Sequence, residues 1–342
     1  ELGRGAFGRA LLVKRRSDGY VAVMKEISLE GMPLSERKAS ESEVKILKKL
    51  KKHPNIVAFM DSFMENKKLH IVMEWAKAGD LAAVIKSTKT KRALIPETRV
   101  LTIFVQCVSA LNFMHNHHVL HRDIKPANIF LTSQGDQVDI VKLGDFGIAK
   151  VLAHTMARAK TVAGTPYYMA PELCREKPYS NMADVWSLGC VLHELCALDV
   201  PFTATSMAAL VRKIMGGKPR RLTSKFSQIQ PIVDKMLSKD GSERPSMKRL
   251  LSTPLLQQTA RMLADAAIKA AALAAAAKQE RKQPAMDNLQ DRLAKLKKDL
   301  ENLGGGGEEQ RMPMVNPALR AEAARNAQMR RNRAGLPRVG LP

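Results

Sequence analysis

The stretch Val119 to Leu131, V-L-H-R-D-I-K-P-A-N-I-F-L, constrains this chain more than any other. Asp123 stands two residues before Lys125 and five before Asn128. Val119 and Leu120 precede the set, and Ile129, Phe130 and Leu131 follow it. Those flanks predict short buried strands on both sides, with the polar residues on a loop pinned at both ends. A carboxylate, an ammonium and an amide held together suit phosphoryl transfer. The carboxylate can orient and deprotonate a hydroxyl, the ammonium can neutralise a phosphoryl oxygen, and the amide can hold a metal ion.

The start of the chain fits a supplier of phosphate to that loop. Gly3-x-Gly5-x-x-Gly8 is followed by Ala10-Leu11-Leu12-Val13, a turn at Ser17-Asp18-Gly19, and Val21-Ala22-Val23-Met24-Lys25. Glycines let a backbone close over phosphates without side-chain clash. The glycine spacing alone is a weak signal. A dinucleotide fold needs a helix straight after the third glycine and an acidic residue about twenty positions on. Here a hairpin follows and the next fixed charge is Lys25, which favours a hairpin lid over ATP with Lys25 reaching the phosphates. Residues 34–51 predict a charged amphipathic helix with Val44, Leu47 and Leu50 on one stripe and Glu43 placed to turn toward Lys25. Ile56 to Phe63 and Leu69 to Glu74 predict two more strands, making a five-stranded sheet with one helix.

The sequence then turns helical. Asp80 is placed to cap a helix opening at Gly79-Asp80-Leu81. Residues 97–117 form a long apolar-periodic helix. Val141-Lys142-Leu143-Gly144 leads into Asp145-Phe146-Gly147, where a carboxylate between a strand and a glycine suits a Mg²⁺ ligand. Residues 148–169 are polar and Thr-rich. Helices are expected at Asp184–Leu198, Ala208–Met215, Ile229–Leu237 and Met247–Leu251. The expected fold class is α+β in two lobes, a sheet lobe and a helical lobe, with the site in the cleft between them.

Composition narrows the partners. Of the net charge of +23, residues 1–256 carry +16 and residues 257–342 carry +7, which points to acidic partners or to solubility alone. Aromatics at 4% argue against base stacking as a main activity. Cys107, Cys190 and Cys196 fall in apolar helical patterns and are expected to be reduced core residues; Cys174 completes the set without metal spacing. His115, His117, His118 and His121 resemble a metal box only by count. No run of eighteen apolar residues predicts a membrane span, and the chain reads as soluble and intracellular. It begins at Glu1 inside what looks like a motif, so its start is expected to be truncated.

Taken in order, these motifs resemble a eukaryotic protein kinase catalytic domain over residues 1 to about 256: the glycine loop, Lys25, Glu43, His121-Arg122-Asp123, Asn128, Asp145-Phe146-Gly147, Ala170-Pro171-Glu172, Asp184-Val185-Trp186-Ser187-Leu188-Gly189 and Arg244. The resemblance implies the roles. Asp123 would be the catalytic base, Lys125 would stabilise the transferred phosphoryl, and Asn128 and Asp145 would hold Mg²⁺. Lys25, held by Glu43, would position ATP phosphates under Gly3, Gly5 and Gly8. Adenine would lie between Ala22 and Phe130, beneath Ala10, with its polar edge on the backbone of Glu74 and Ala76 and Met73 guarding the back pocket. Leu47, Phe59, His121 and Phe146 would stack as a spine, and Glu172 would pair with Arg244. Ala10 stands where many kinases have Val, which thins the cover over adenine. Lys239 to Glu243 lacks the common Asp-Pro.

Lys125, together with Gly164-Thr165, resembles serine/threonine rather than tyrosine kinases. Met24-Lys25-Glu26-Ile27, His53-Pro54-Asn55-Ile56-Val57, Leu69 to Glu74, Gly79-Asp80-Leu81, Leu143 to Ala149 and Ala163 to Glu172 are similar to the NIMA-related kinases. That resemblance implies protein substrates bearing Ser or Thr, and roles in the cell cycle, cytoskeleton, centrosome, cilium or nucleus. Thr161 would be the activating phosphorylation site, with Arg122 receiving its phosphate.

Four segments are expected: a kinase domain at 1–256 (lobes 1–75 and 76–256), an Ala-rich helical linker at 257–283, a short coiled coil at 285–303, and a basic disordered tail at 304–342. Leu289, Leu293, Leu296, Leu300 and Leu303 repeat at coiled-coil spacing, which allows self-association. Seven arginines in residues 308–342 could meet a microtubule or another acidic partner. A scaffold working through this tail is the alternative reading, and nucleic-acid binding rests on charge alone.

Overall fold

A computed structural model describes residues 1–5, 8–31, 44, 48, 53–133, 139–144, 166–273 and 294–295. The chain divides into two compact units, Glu1–Ala271 and Ala272–Pro342. In the second unit the described residues, 272–273 and 294–295, are helical. The heptad leucines and residues 304–342 lie outside the described set.

The first unit opens with an antiparallel sheet of β1 (Gly3–Gly5), β2 (Gly8–Lys14), β3 (Val21–Ser28), β4 (Phe59–Glu65) and β5 (Lys68–Glu74), ordered β1-β2-β3-β5-β4. Gly8 is required by the pairing: a Cβ there would stand 1.8 Å from the Glu26 carbonyl oxygen. Gly19, at φ +74°, turns β2 back into β3. Of the charged helix expected over residues 34–51, Val44 and Lys48 are described, both helical, with Val44 buried.

One strand boundary differs from the sequence reading. Ile56 to Ala58 does not belong to β4. Ile56 instead bridges Leu143 in parallel, with Val57 N–H donating to Leu143 O at 2.8 Å and Leu143 N–H donating to Asn55 O at 2.9 Å. The segment is apolar because it is buried against a second sheet, not because it continues the first. Asn55 fixes it there, its Nδ2 donating to Gln106 Oε1 at 2.8 Å and to Val141 O at 3.0 Å.

The helical part follows as α1 (Leu81–Thr90), α2 (Glu97–Asn116), the hairpin of β6 (Ile129–Ser133) and β7 (Asp139–Leu143), then α3 (Pro171–Cys174), α4 (Asn181–Ala197), α5 (Met207–Gly216), α6 (Gln230–Met236) and α7 (Met247–Leu251). Asp80 caps α1 by accepting from Ala83 N–H at 2.8 Å. The core lies between α2 and α4. Along α2, Val100, Ile103, Phe104, Val108, Leu111 and Met114 are sealed; along α4, Val185, Trp186, Leu188 and Leu192 are sealed. Burial raises the Cys107 and Cys196 thiols to about 12, so these free cysteines stay protonated and pack as small apolar groups.

A further helix, α8, covers residues 254–273. The border expected at 256 therefore falls inside one continuous helix, whose Leu256 is buried and whose Leu255 and Leu263 pack on the core. Among the described residues no helix is long and apolar enough to cross a membrane.

Candidate active site

The polar loop of residues 119–128 is pinned differently from expectation. Val119 and Leu120 form no strand, and only the following residues do, as β6. The N-terminal pin is a carboxylate. Asp184, fully buried on α4, accepts from His121 N–H and Arg122 N–H, each at 3.0 Å. His115 Nε2 lies 2.9 Å from the same carboxylate, and Tyr179 Oη–H donates to it at 2.7 Å. Burial opposes the charge, but the His115 contact, the nearby His121 and the Tyr179 donor together hold the Asp184 carboxyl below its usual value. His115 is thus a positioning residue for the loop; His117 Nδ1 lies 2.8 Å from Phe113 O, and His118 stands at φ +57° beyond the helix end.

The loop delivers three side chains to one point. Lys125 Nζ donates to Asp123 Oδ2 at 2.9 Å, and Asn128 Nδ2 donates to the same oxygen at 2.8 Å. Asn128 Nδ2 also donates to the Asp123 carbonyl at 2.8 Å. These bonds fix the Asp123 carboxylate, one-fifth exposed, between a cation and an amide. Both Asn128 Nδ2 bonds run to Asp123, so its carbonyl oxygen Oδ1 is the atom left to meet a cation. The 3₁₀ turn Pro126–Asn128 then feeds β6, and Gly144 N–H donates to Asn128 O at 3.0 Å, tying the end of β7 to the same loop. Gly144 has to be glycine: a Cβ there would meet the Phe130 ring at 2.8 Å and Val57 at 3.0 Å.

The sheet sorts the expected ATP-lining residues by face. In the β2–β3–β5 register, Ala10 lies opposite Lys25, and Lys25 lies opposite Ile71. Val23 lies opposite Leu12 and Met73. Residues two apart on a strand share a face, so Ala10, Val23, Lys25 and Met73 all lie on one face. Ala22 does not. It lies opposite Val13 and Glu74, on the other face from Lys25, and is buried there. Val23, not Ala22, is the β3 residue that shares the Lys25 face. Counting back in twos from Lys25 was the signal for it in the sequence.

Glu74 ends β5; its N–H donates to Ala58 O at 2.9 Å, and its side chain takes Lys142 Nζ at 2.9 Å and Ala58 N–H at 3.1 Å. Ala76 follows in the connection to α1, which β6 holds through Ala78 N–H to Leu131 O at 3.0 Å. Phe130 lies on β6 and bridges Asp80. Gly3, Gly5 and Gly8 sit in β1 and β2 around the tip of the first hairpin. Glu43, Leu47, Asp145, Phe146, Thr161 and Thr165 lie outside the described residues; Phe59 and His121 are the described members of the expected spine.

Beside Lys125 a cavity of about 360 Å³ opens between α1 and the end of α4, lined among others by Ile85, Lys86, Ala127, Tyr168 and Glu194. Tyr168 Oη–H donates to Glu194 at 2.6 Å, and burial raises the Glu194 carboxyl. Lower in the unit, Arg244 has its side chain sealed and donates from Nη1 and Nη2 to the two Glu172 oxygens, each at 2.8 Å. Its Nε and Nη1 also reach Ser238 O at 2.9 Å and Met182 O at 2.7 Å.

The family model described as "Protein kinase domain" matches residues 1–256. The human serine/threonine-protein kinase Nek5 is 45% identical over 257 residues, covering 75% of this chain and 36% of that protein. The human serine/threonine-protein kinase Nek2 is 43% identical over 263 residues, covering 75% of this chain and 58% of that protein. The mouse serine/threonine-protein kinase Nek3 is 47% identical over 251 residues, covering 73% of this chain and 47% of that protein. The chain's matching part thus spans from 36% to 58% of the length of these relatives. By the match over residues 1–256, the chain belongs to the protein kinase family, and within it is similar to the Nek serine/threonine-protein kinases.

Proposed function

We propose that this chain is a protein serine/threonine kinase of the NIMA-related kind, transferring the γ-phosphoryl group of ATP to Ser and Thr hydroxyls of protein substrates with little substrate restriction. One observation carries the reading: Asp123 Oδ2 accepts from both Lys125 and Asn128. A carboxylate oriented this way can accept the proton of a substrate hydroxyl, while Lys125 lies where charge develops on the transferred group. Asn128 Oδ1, a hard oxygen donor, fits Mg²⁺, with Asp145 as the second ligand. Bound there, Mg²⁺ would neutralise phosphate charge. Lys25, held by Glu43, positions the ATP phosphates beneath the glycine hairpin. Ala10, Val23, Met73 and Phe130 line the adenine site, with the backbone of Glu74 and Ala76 at its edge. The cavity beside Lys125 is placed to take a side chain flanking the acceptor residue of the substrate.

Thr161 is the proposed activating phosphorylation site, read by Arg122, which Asp184 holds by its backbone. Residues 285–303 are proposed to self-associate, and the basic tail to meet a microtubule or another acidic surface, consistent with action at the cytoskeleton, centrosome, cilium or nucleus. The test is incubation with labelled ATP, Mg²⁺ and casein, followed by phosphoamino-acid analysis. Label on Ser and Thr supports the reading; label on Tyr alone, or none in casein or in the chain itself, overturns it.

A further inference from the structure

Between Asp199 and Asp234 the chain carries six basic residues, Arg212, Lys213, Lys218, Arg220, Arg221 and Lys225, and no acidic one. All six are exposed. They lie on α5 and on the connection from α5 to α6. Arg212, Lys218, Arg221 and Lys225 have no carboxylate partner among the described residues, and Arg220 has a loose one, Asp199 at 3.6 Å. Lys213 turns its Nζ to Thr203 O at 2.6 Å.

The backbone beneath these cations is fixed. Gly217 N–H donates to Lys213 O at 2.8 Å, and Arg220 N–H donates to Pro201 O at 3.3 Å. Arg220 O lies 2.8 Å from His193 Nε2, and Leu222 N–H donates to Gln230 Oε1 at 2.8 Å. A connection held at four points fixes where these side chains emerge from the backbone, which lowers the backbone ordering cost of binding.

We propose that this ridge is a docking surface for an acidic polypeptide segment rich in Glu and Asp. Its chemistry selects that partner. Phe202 and Phe226 are buried, so no aromatic face is offered for stacking on nucleic-acid bases. Met207 is the one large apolar side chain of residues 200–233 that stands half-exposed, too little for insertion into a bilayer. Three arginines offer planar forks that match carboxylates two bonds at a time. The surface uses none of the residues assigned to phosphoryl transfer, so binding there does not depend on catalysis.

The test uses the full chain without ATP and a fluorescein-labelled oligoglutamate peptide, read by anisotropy. Arg212→Glu, Lys218→Glu and Arg221→Glu are combined in one variant. Arg16→Glu, Lys91→Glu and Lys269→Glu, at exposed positions elsewhere, form a control with the same change in net charge. Thermal unfolding at the parent temperature shows that each remains folded. The ridge variant is expected to bind the peptide about tenfold more weakly, and the control within about twofold of the parent, with the parent's affinity falling as salt rises. Equal weakening in both variants, no change in either, or absence of binding by the parent overturns the proposal. Tighter binding of an oligouridylate of equal charge, abolished by the ridge variant, also overturns it by assigning the ridge to nucleic acid.

Discussion

The backbone N–H of Arg122 donates to Asp184 Oδ1 at 3.0 Å while Arg122 itself stands at φ +67°. A left-handed backbone at a residue with a side chain costs about 1–2 kcal/mol. Asp184 offsets that cost by turning two consecutive N–H groups inward, and so sets the direction in which Asp123 leaves the loop.

Asp184→Asn is therefore expected to destabilise the fold by about 2–4 kcal/mol, because an amide puts a donor where donors already converge. Chemical denaturation measures it. The carboxyl of Asp184 titrates below the ordinary aspartate value of 3.8. Its contribution is thus complete above that value and is lost as pH falls through the lower folded one. The acid limb of the stability curve should flatten in the variant.

Arg244 makes four hydrogen bonds from a sealed side chain, two of them to Glu172. Arg244→Ala leaves the Glu172 carboxylate without its partner, at an expected cost of about 3–5 kcal/mol. Arg244→Lys keeps the charge but loses the planar fork, and should fall between the parent and Arg244→Ala. Stability of Arg244→Lys equal to that of the parent would show that the bidentate geometry contributes nothing.

Lys239 is half-buried over the Trp186 and Phe202 rings, and burial lowers it to about 8 from its usual 10.5. The folded state therefore resists its proton. Between about 8 and 10.5 the unfolded chain binds more protons, and Lys239 lets stability rise with pH in that window. Lys239→Met removes that rise, and also the Lys239 Nζ bond to Ile214 O at 2.7 Å, so the variant's stability relative to the parent should fall as pH climbs from about 8 to 10.5. A variant that gains on the parent over that window contradicts this.

Thr161→Ala is expected to lower kcat by at least about tenfold while leaving the thermal midpoint unchanged, since a phosphate near Arg122 adds charge-assisted bonds to the folded enzyme without building its core. Full activity of the unphosphorylated parent would remove the switch.

Much of the site was legible in the sequence because its members are polar residues in apolar surroundings at fixed spacing. Asp123, Lys125 and Asn128 meet through bonds that span at most five residues. Asp184 was harder to read. It acts on the loop across about sixty positions, and the sequence shows only a carboxylate inside an apolar helix, itself a signal, since a buried acid needs donors. His115 reads in the sequence as one of four clustered histidines, and nothing there marks it as one of those donors. Ala22 reads as a neighbour of the Lys25 face because a strand's composition does not reveal its faces, whereas parity with Lys25 does. The run from Ile56 reads as one strand because apolar content cannot tell which sheet a segment pairs with. The border at 256 marked where the family pattern stops, and α8 simply continues through it.

Asp123 is proposed as the base. Asp123→Asn keeps the shape and one acceptor oxygen for Lys125 but cannot take a proton. With its fold verified by an unchanged thermal midpoint, labelled-ATP transfer to casein should fall by about 10²–10⁴-fold in kcat with KM for ATP nearly unchanged. Transfer at the parent rate would contradict the account.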